Sequence, residues 1–239
     1  MTGVFLQVRL ASSRLPRKAL LQLADRPVVE HALRSLRRVP AAVHCVLTDS
    51  ASADDIRPVA ERCGYQTFVG SETNVLERYV TAIRAFGVDE VVRATGDNPL
   101  VSWELARMAV ALRRRERADY AAFDGPPLGT GVEVVRADAL ERAYASSPDD
   151  YDIEHATPFL YRHPDRFTVV RRQAPPAYCA PDARVTIDTA DDYERIGAIF
   201  AAIYDGEPIA ALRLVRHLHS HDRSTPQPGS ERHENSAGT

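Results

Sequence analysis

The stretch QVRLASSRLPRKAL, residues 7–20, gathers side chains able to hold an anion. Arg9, Arg14 and Lys18 carry positive charge, Ser12 and Ser13 offer hydroxyl donors, and Gln7 leads in from an apolar run. Such donors, joined by backbone N–H groups in a turn, form a cradle for phosphate oxygens. The P-loop pattern G-x-x-x-x-G-K-[ST] is absent. On composition alone the same residues also fit a solvated basic loop. Lys18 weighs against that second reading. It is the one lysine in a chain of 239 residues whose 30 basic side chains are otherwise arginine. An ammonium is a compact point charge on a thin stem, whereas a guanidinium is a broad planar fork. A site needing one charge against a transferring phosphoryl group favours the ammonium.

Two aspartates complement that charge. RATGDNPL, residues 93–100, places Asp97 in a glycine-containing turn after Gly96, and RVTIDT, residues 184–189, places Asp188 at the end of an expected strand. They lie 91 residues apart, so spacing does not bring them together. Meeting at one sheet edge, they suit a Mg²⁺ ion shared with the phosphates of a nucleotide. Taken singly, each is a turn or capping residue.

The elements that must position these residues alternate regularly. Short β-branched runs at residues 4–8, 43–48, 65–70 and 89–95 read as strands. Amphipathic stretches follow them as helices: 27–39, 52–64 with Ser52 as N-cap, 74–87 and 102–118. Four βα units imply a mostly parallel sheet covered by helices on both faces. Such sheets bind ligands at the carboxyl ends of their strands, where both loops above fall. Further on, strands are expected at 118–123, 131–137, 165–172 and 183–188, and helices at 138–146, 152–163, 189–206 with Thr189 as N-cap, and 208–220. Residues 1–219 read as a single domain, with a nucleotide-binding half over 1–117. The polar, Pro- and Gly-containing residues 220–239 read as a disordered tail.

Bulk properties exclude several classes. A net charge of −3 and a pI near 6.2 argue against a nucleic-acid footprint. No apolar stretch reaches membrane-spanning length, and no basic segment precedes the first apolar run as in a signal peptide. The three cysteines, Cys45, Cys63 and Cys179, fit no metal template and point to a reducing, cytoplasmic setting. His217 and His221 stand at i, i+4, but neither a carboxylate nor a cysteine ligand is near them in sequence.

The first loop resembles the signature Q-A-R-x-x-S-x-R-L-P-x-K-x-L of the cytidylyltransferases that make CMP-activated sugars, closest to the spore-coat polysaccharide and acylneuraminate-type branch. Gln7, Arg9, Ser12, Arg14, Leu15, Pro16, Lys18 and Leu20 match in register. Val8 stands where alanine is usual, and Ala11 and Arg17 where glycine is common. R-x-T-G-D-x-P-L and V-T-I-D-T match two later motifs of the family, and FVGSETNVLERY a third, with Asn74 where aspartate is usual. PLGTGVEV, carrying Gly129 and Glu133, and IEHATPFLYRHPDRF, carrying Glu154, His155, Thr157 and Pro158, match two more. The resemblance spans about residues 4–215.

The resemblance implies an α/β, Rossmann-like, three-layer α/β/α nucleotide-diphospho-sugar transferase fold. It implies Mg²⁺-dependent transfer of CMP from CTP to a sugar acid, sugar phosphate or related anionic acceptor. Pyrophosphate is released, in surface-polysaccharide or glycan precursor biosynthesis. Lys18, Arg9, Arg14 and Asp97 become the catalytic set, and Gln7, Ser12, Ser13, Arg93 and Gly96 join the three basic residues around the nucleotide. Glu133, His155, Arg171 and Arg184 fall to the acceptor, and Asp97 and Asp188 to the metal. Residues 118–219 become an acceptor and dimerisation half, making a homodimer. Two other readings compete. A GT-A-like glycosyltransferase wants an Asp-x-Asp motif, which TGDNP lacks. A non-catalytic nucleotide-binding relative accounts for Ala11, Arg17 and Asn74, but not for the intact Lys18, Asp97 and Asp188.

Overall fold

The computed structural model describes residues 1–146 and 148–222. Its strands are β1 (Thr2–Gln7), β2 (Gln22–Leu23), β3 (Arg26–Pro27), β4 (Val43–Thr48), β5 (Gln66–Val69), β6 (Glu90–Thr95), β7 (Tyr120–Asp124), β8 (Glu133–Arg136) and β9 (Val169–Gln173). The helices are α1 (Val28–Leu36), α2 (Ser50–Arg62), α3 (Val75–Phe86), α4 (Trp103–Glu116), α5 (Ala137–Tyr144), α6 (Asp150–His155), α7 (Pro158–Arg162), α8 (Ala190–Ile203) and α9 (Ala211–Asp222). Seven strands make one sheet in the order β5-β4-β1-β6-β8-β7-β9, and β2-β3 form a small separate hairpin. In the sheet β8 alone runs against its neighbours, and the other pairings are parallel. The expected α/β architecture with a mostly parallel sheet is the one observed.

Period-two alternation sorts the core into two layers. Phe5, Cys45, Leu47, Val91 and Val135 face one way, onto Leu76, Tyr79, Val80 and Ile83 of α3 and Leu140 of α5. Val4, Leu6, Val46, Val92 and Val134 face the other way, onto Val29, Leu33 and Leu36 of α1, Ile56 of α2 and Ala106 of α4. Strands buried on both faces need near-continuous apolar runs, and VFL and VHCVL supply them. A third cluster lies beneath the site. There Val185 and Ile187 pack with Ile196, Ile199 and Phe200 of α8 and Leu214 of α9.

Four sequence expectations change. The N-cap of α2 is Asp49, whose Oδ1 accepts from Ser52 N–H at 2.8 Å; Ser52 Oγ instead accepts from Leu10 N–H at 2.9 Å. Residues 152–163 form two helices, because Ala156 takes φ 67° and Pro158 begins the second one. Residues 183–188 are not a strand. Their backbone hydrogen bonds go to loops, Val185 N–H to Leu128 C=O and Ile187 N–H to Asp97 C=O, with one isolated bridge between Leu128 and Arg184. Residues 220–222, expected in the tail, close α9; residues 223–239 lie outside the described residues. Among the described residues no helix is long and apolar enough to cross a membrane.

Candidate active site

β1 and β6 are neighbours in register, with Gln7 opposite Thr95, so the loops that follow them leave the sheet side by side. Between these loops lies a cleft of about 830 Å³ at the carboxyl ends of the parallel strands. Gly96 N–H donates to Gln7 C=O at 2.9 Å, joining the two loops at their base. A Cβ on residue 96 would lie 2.8 Å from Val8 Cβ, so valine at 8 requires glycine at 96. The first loop is held by Val8 N–H to Leu47 C=O and by Leu10 N–H to Ser52, and it ends in a 3₁₀ turn over Lys18–Leu20.

That turn aims Lys18 inward. Its Nζ donates to Asp97 Oδ2 at 2.7 Å, to Ile187 C=O at 2.7 Å and to Asp188 Oδ1 at 2.9 Å. An ammonium has three hydrogens, and here three acceptors take them. The two aspartates therefore meet on one atom. The backbone explains how: Ile187 N–H donates to Asp97 C=O, which ties the segment before α8 to the turn after β6. Gly129 permits the approach from the other side. Its φ is 104°, and a Cβ there would press on Thr186 N and Val185 C at 3.1 Å. Asp192 then fixes the Asp188 backbone, accepting from the N–H groups of Asp188 and Thr189 at 3.0 Å within the capping box of α8.

Asp188 gathers more charge than Lys18. Arg14 Nη2 lies 3.1 Å from Oδ1, and Arg184 donates to Oδ2. Burial by itself raises the Asp188 carboxyl, but its hydrogen bond to Lys18 and the charges of Lys18, Arg14 and Arg184 outweigh that and hold it below the ordinary carboxylate range. Across the cleft mouth Arg9 meets Glu154 of α6 at 3.3 Å.

Most of the residues singled out in the sequence converge here. Gln7, Arg9, Ser12, Ser13, Arg14 and Lys18 line the cleft from one side. Arg93, Gly96, Asp97, His155 and Asp188 line it from the others. Gln7 Oε1 is buried there without a hydrogen-bond partner among the described residues. Arg184 reaches the site only through Asp188, and it does not line the cleft. Glu133 and Arg171 stand one step behind the wall. Glu133 takes Arg93 and Thr157 on Oε2 and Tyr120 on Oε1, and Arg171 reaches Tyr120 Oη at 3.3 Å while pairing with Asp124. Both oxygens of Glu133 are thus engaged, so it orients Arg93 rather than facing the cleft. His219 Nε2 sits 3.0 Å from Cys179 C=O, and no metal-ligand cluster occurs among the described residues.

Arg78, which no residue pattern in the sequence marks as a site residue, also lines the cleft. It is 2% exposed and donates to the carbonyls of Ser71 and Glu72, closing the loop after β5. Its sequence signal is one of burial alone: an arginine on the apolar stripe of a helix, three residues after Val75 and next to Tyr79.

A model of the cytidylyltransferase family matches residues 4–214. The chain belongs to the cytidylyltransferase family. The spore coat polysaccharide biosynthesis protein SpsF of Bacillus subtilis is 31% identical over 221 residues, covering 88% of this chain and 90% of that one. A cytidylyltransferase structure from Leptospira borgpetersenii superposes with a TM-score of 0.84 at 24% identity, covering 93% and 95%. A CMP:2-keto-3-deoxy-manno-octonic acid synthetase complexed with CTP superposes with a TM-score of 0.65 at 16% identity, covering 84% and 98%. These likenesses identify the fold as that of the cytidylyltransferases.

The departures of this cytidylyltransferase from its family's pattern have physical readings. Ala11 lies outside the positive-φ residues, so the missing glycine costs no backbone strain there. Arg17 does occupy the left-handed region, at φ 53°, where glycine is the unstrained choice. Asn74 caps α3, accepting from Glu77 N–H at 2.8 Å, a task asparagine and aspartate perform equally well.

Proposed function

We propose that this cytidylyltransferase transfers CMP from CTP to a small anionic acceptor of the sugar-acid or sugar-phosphate class, releasing pyrophosphate, with Mg²⁺ bound at Asp97 and Asp188. The observation that carries the reading is the meeting of Lys18, Asp97 and Asp188 on one nitrogen at the strand ends. The pair already holds one cation between two hard oxygen donors. Two carboxylates completed by substrate phosphates are what Mg²⁺ ordinarily takes. Bound there, the ion would offset the charge of the triphosphate.

The chain's own residues supply positioning and charge. Arg9, Arg14 and Lys18 draw the triphosphate into the cleft and stabilise charge that builds on the α-phosphate and on the leaving pyrophosphate. Ser12, Ser13 and the backbone around Gly96 orient its oxygens. The acceptor oxygen attacks the α-phosphorus as the bond to pyrophosphate breaks, so alignment is the main demand on the protein. Arg93, anchored by Glu133, which Thr157 in turn holds, and His155 border the acceptor side, with Arg171 and Arg184 as outer supports. SpsF, by its name, acts in spore coat polysaccharide biosynthesis. A role in surface-polysaccharide precursor synthesis, in the cytoplasm and as a homodimer through residues 118–219, extends that likeness to this chain.

The test is pyrophosphate release with CTP, Mg²⁺ and a panel of sugar acids, sugar phosphates and phosphonates. We expect release with CTP and at least one acceptor, and loss of release in Asp97→Asn and Asp188→Asn. Silence across the panel, with CTP still bound, would instead favour a nucleotide-binding relative without turnover.

A further inference from the structure

A second cleft, of about 360 Å³, lies apart from the first and runs along α1 from Arg26 before its start to Arg38 past its end, beside the C-terminus of α2 and the α8–α9 connection. Arg26, Arg34, Arg37, Arg38 and Arg62 line it. Three carboxylates answer these five guanidiniums, and one of them, Asp25, pairs with Arg26 at 3.2 Å from beside the cleft. Glu30, 7% exposed, pairs with Arg26 at 3.1 Å and Arg62 at 3.2 Å. Glu207 bridges Arg34 at 3.6 Å and Arg38 at 2.7 Å. Arg37 faces His44 Nδ1 at 3.4 Å and has no carboxylate within ion-pair distance among the described residues.

Basic residues at helix C-termini answer the helix dipole, and that is the plain account of such a cluster. Its magnitude falls short here. Each helix end contributes about half a negative charge. With Glu30, Glu207 and Asp25 added, about one positive charge remains over, and Arg37 is the guanidinium without a carboxylate among the described residues. Arg34 and Arg38 also stand at i, i+4, where like charges repel. The Cys63 thiol at the cleft wall supplies no compensating charge, since burial pushes it up to about 11.

We propose that this cleft is a binding site for a free inorganic diphosphate. Guanidinium forks match phosphate oxygens in pairs. No aromatic side chain lines the cleft among the described residues, so nothing there stacks a nucleobase. Glu207 is the internal occupant. Its side chain is 64% exposed, it follows Gly206 at φ 94°, and it spans the two arginines a diphosphate would span. Ligand binding displaces Glu207 and frees the connection between α8 and α9. The Arg38 guanidinium is held in place by stacking at 4.6 Å on Trp103, so part of the site is preformed.

The experiment is calorimetric titration of the full chain with pyrophosphate. In Arg34→Gln/Arg38→Gln, one site per chain is lost or weakened by at least about tenfold relative to wild type. Glu207→Gln removes the competitor and tightens that same site several-fold. Arg37→Gln, which breaks no ion pair, weakens it and guards against misfolding of the double variant, with unfolding temperatures as the control. Because the signature is a difference between variants, it is independent of whether pyrophosphate also enters the first cleft. Unchanged binding in the arginine variants overturns the site. Equal binding of sulfate marks it as an adventitious ion only, and equal filling by CTP overturns its preference for the free diphosphate.

Discussion

Lys18 and Asp97 lie 79 residues apart in the chain and meet at 2.7 Å. The same ammonium holds Asp188 and the Ile187 carbonyl, so three separate segments share one atom. That relationship gives the single lysine a geometric reason. Three acceptors converge on one nitrogen at 2.7–2.9 Å. A tetrahedral ammonium presents three hydrogens from one nitrogen, while each terminal nitrogen of a guanidinium presents two, in a plane.

Lys18→Arg is accordingly expected to keep charge and fold yet lose turnover. A displaced charge at the reacting phosphate costs about 10²–10³ in kcat. Steady-state pyrophosphate release, set beside the unfolding temperature, measures both. An arginine variant with near-normal kcat would remove Lys18 from its assigned role.

Gly129 carries the second prediction. It lies at φ 104° against the backbone of Val185 and Thr186, three and two residues before Asp188. Gly129→Ala is expected to destabilise by roughly 2 kcal/mol through strain and contact. Turnover, assayed well below the unfolding transition, should fall further than the lost stability explains, because Asp188 shifts with the segment. A denaturation midpoint that drops while kcat stays normal would show that the 184–188 segment re-seats without help from residue 129.

Much of this site was legible beforehand, for reasons tied to particular residues. The loop of Lys18 follows a strand whose apolar run is unmistakable, and Asp97 sits in a glycine turn, so both fell on the correct sheet edge. Asp188 was correctly placed beside them only through the family motif. Its own segment mimics a strand in composition, yet its hydrogen bonds go to loops. Arg78 escaped because burial of a charged side chain is decided by tertiary carbonyls, those of Ser71 and Glu72. Glu133, which the resemblance gives to the acceptor, takes donors from Arg93, Thr157 and Tyr120, an arrangement that appears only once β6, β7 and the start of α7 are assembled.

Away from the cleft, Glu90 sets an acid-stability signature. Its side chain is 5% exposed; Arg114 and Thr2 donate to Oε1, and Arg113 Nε lies 2.8 Å from Oε2. Burial raises its carboxyl, but these partners outweigh that and hold it below the ordinary glutamate value. A depressed carboxylate stabilises fully above its unfolded pKa, about 4.3, and loses that contribution as pH falls through the folded value. Glu90→Gln should therefore be less stable by about 2 kcal/mol at neutral pH. The gap to wild type should narrow steadily in acid. Denaturant midpoints at pH 7, 5, 4 and 3 measure it, and a gap independent of pH would contradict the ionised pair.

Arg17 distinguishes backbone demand from charge. It sits at φ 53° and pairs with Asp55 at 3.0 Å, with both side chains about half exposed. An exposed pair of this kind contributes between about 0 and 1 kcal/mol. Left-handed backbone costs a non-glycine residue about 1–2 kcal/mol, and glycine gives back roughly 0.5–1 kcal/mol in unfolded-state entropy. Arg17→Gly should thus match wild-type stability within about 1 kcal/mol and retain turnover. Arg17→Val, β-branched in the same conformation, should lose about 1–2 kcal/mol and loosen the turn that aims Lys18. Denaturation and pyrophosphate release on the two variants decide the matter. If valine proves as well tolerated as glycine, backbone conformation at this position is not what the family's glycine serves, and the Asp55 pair becomes the feature to test.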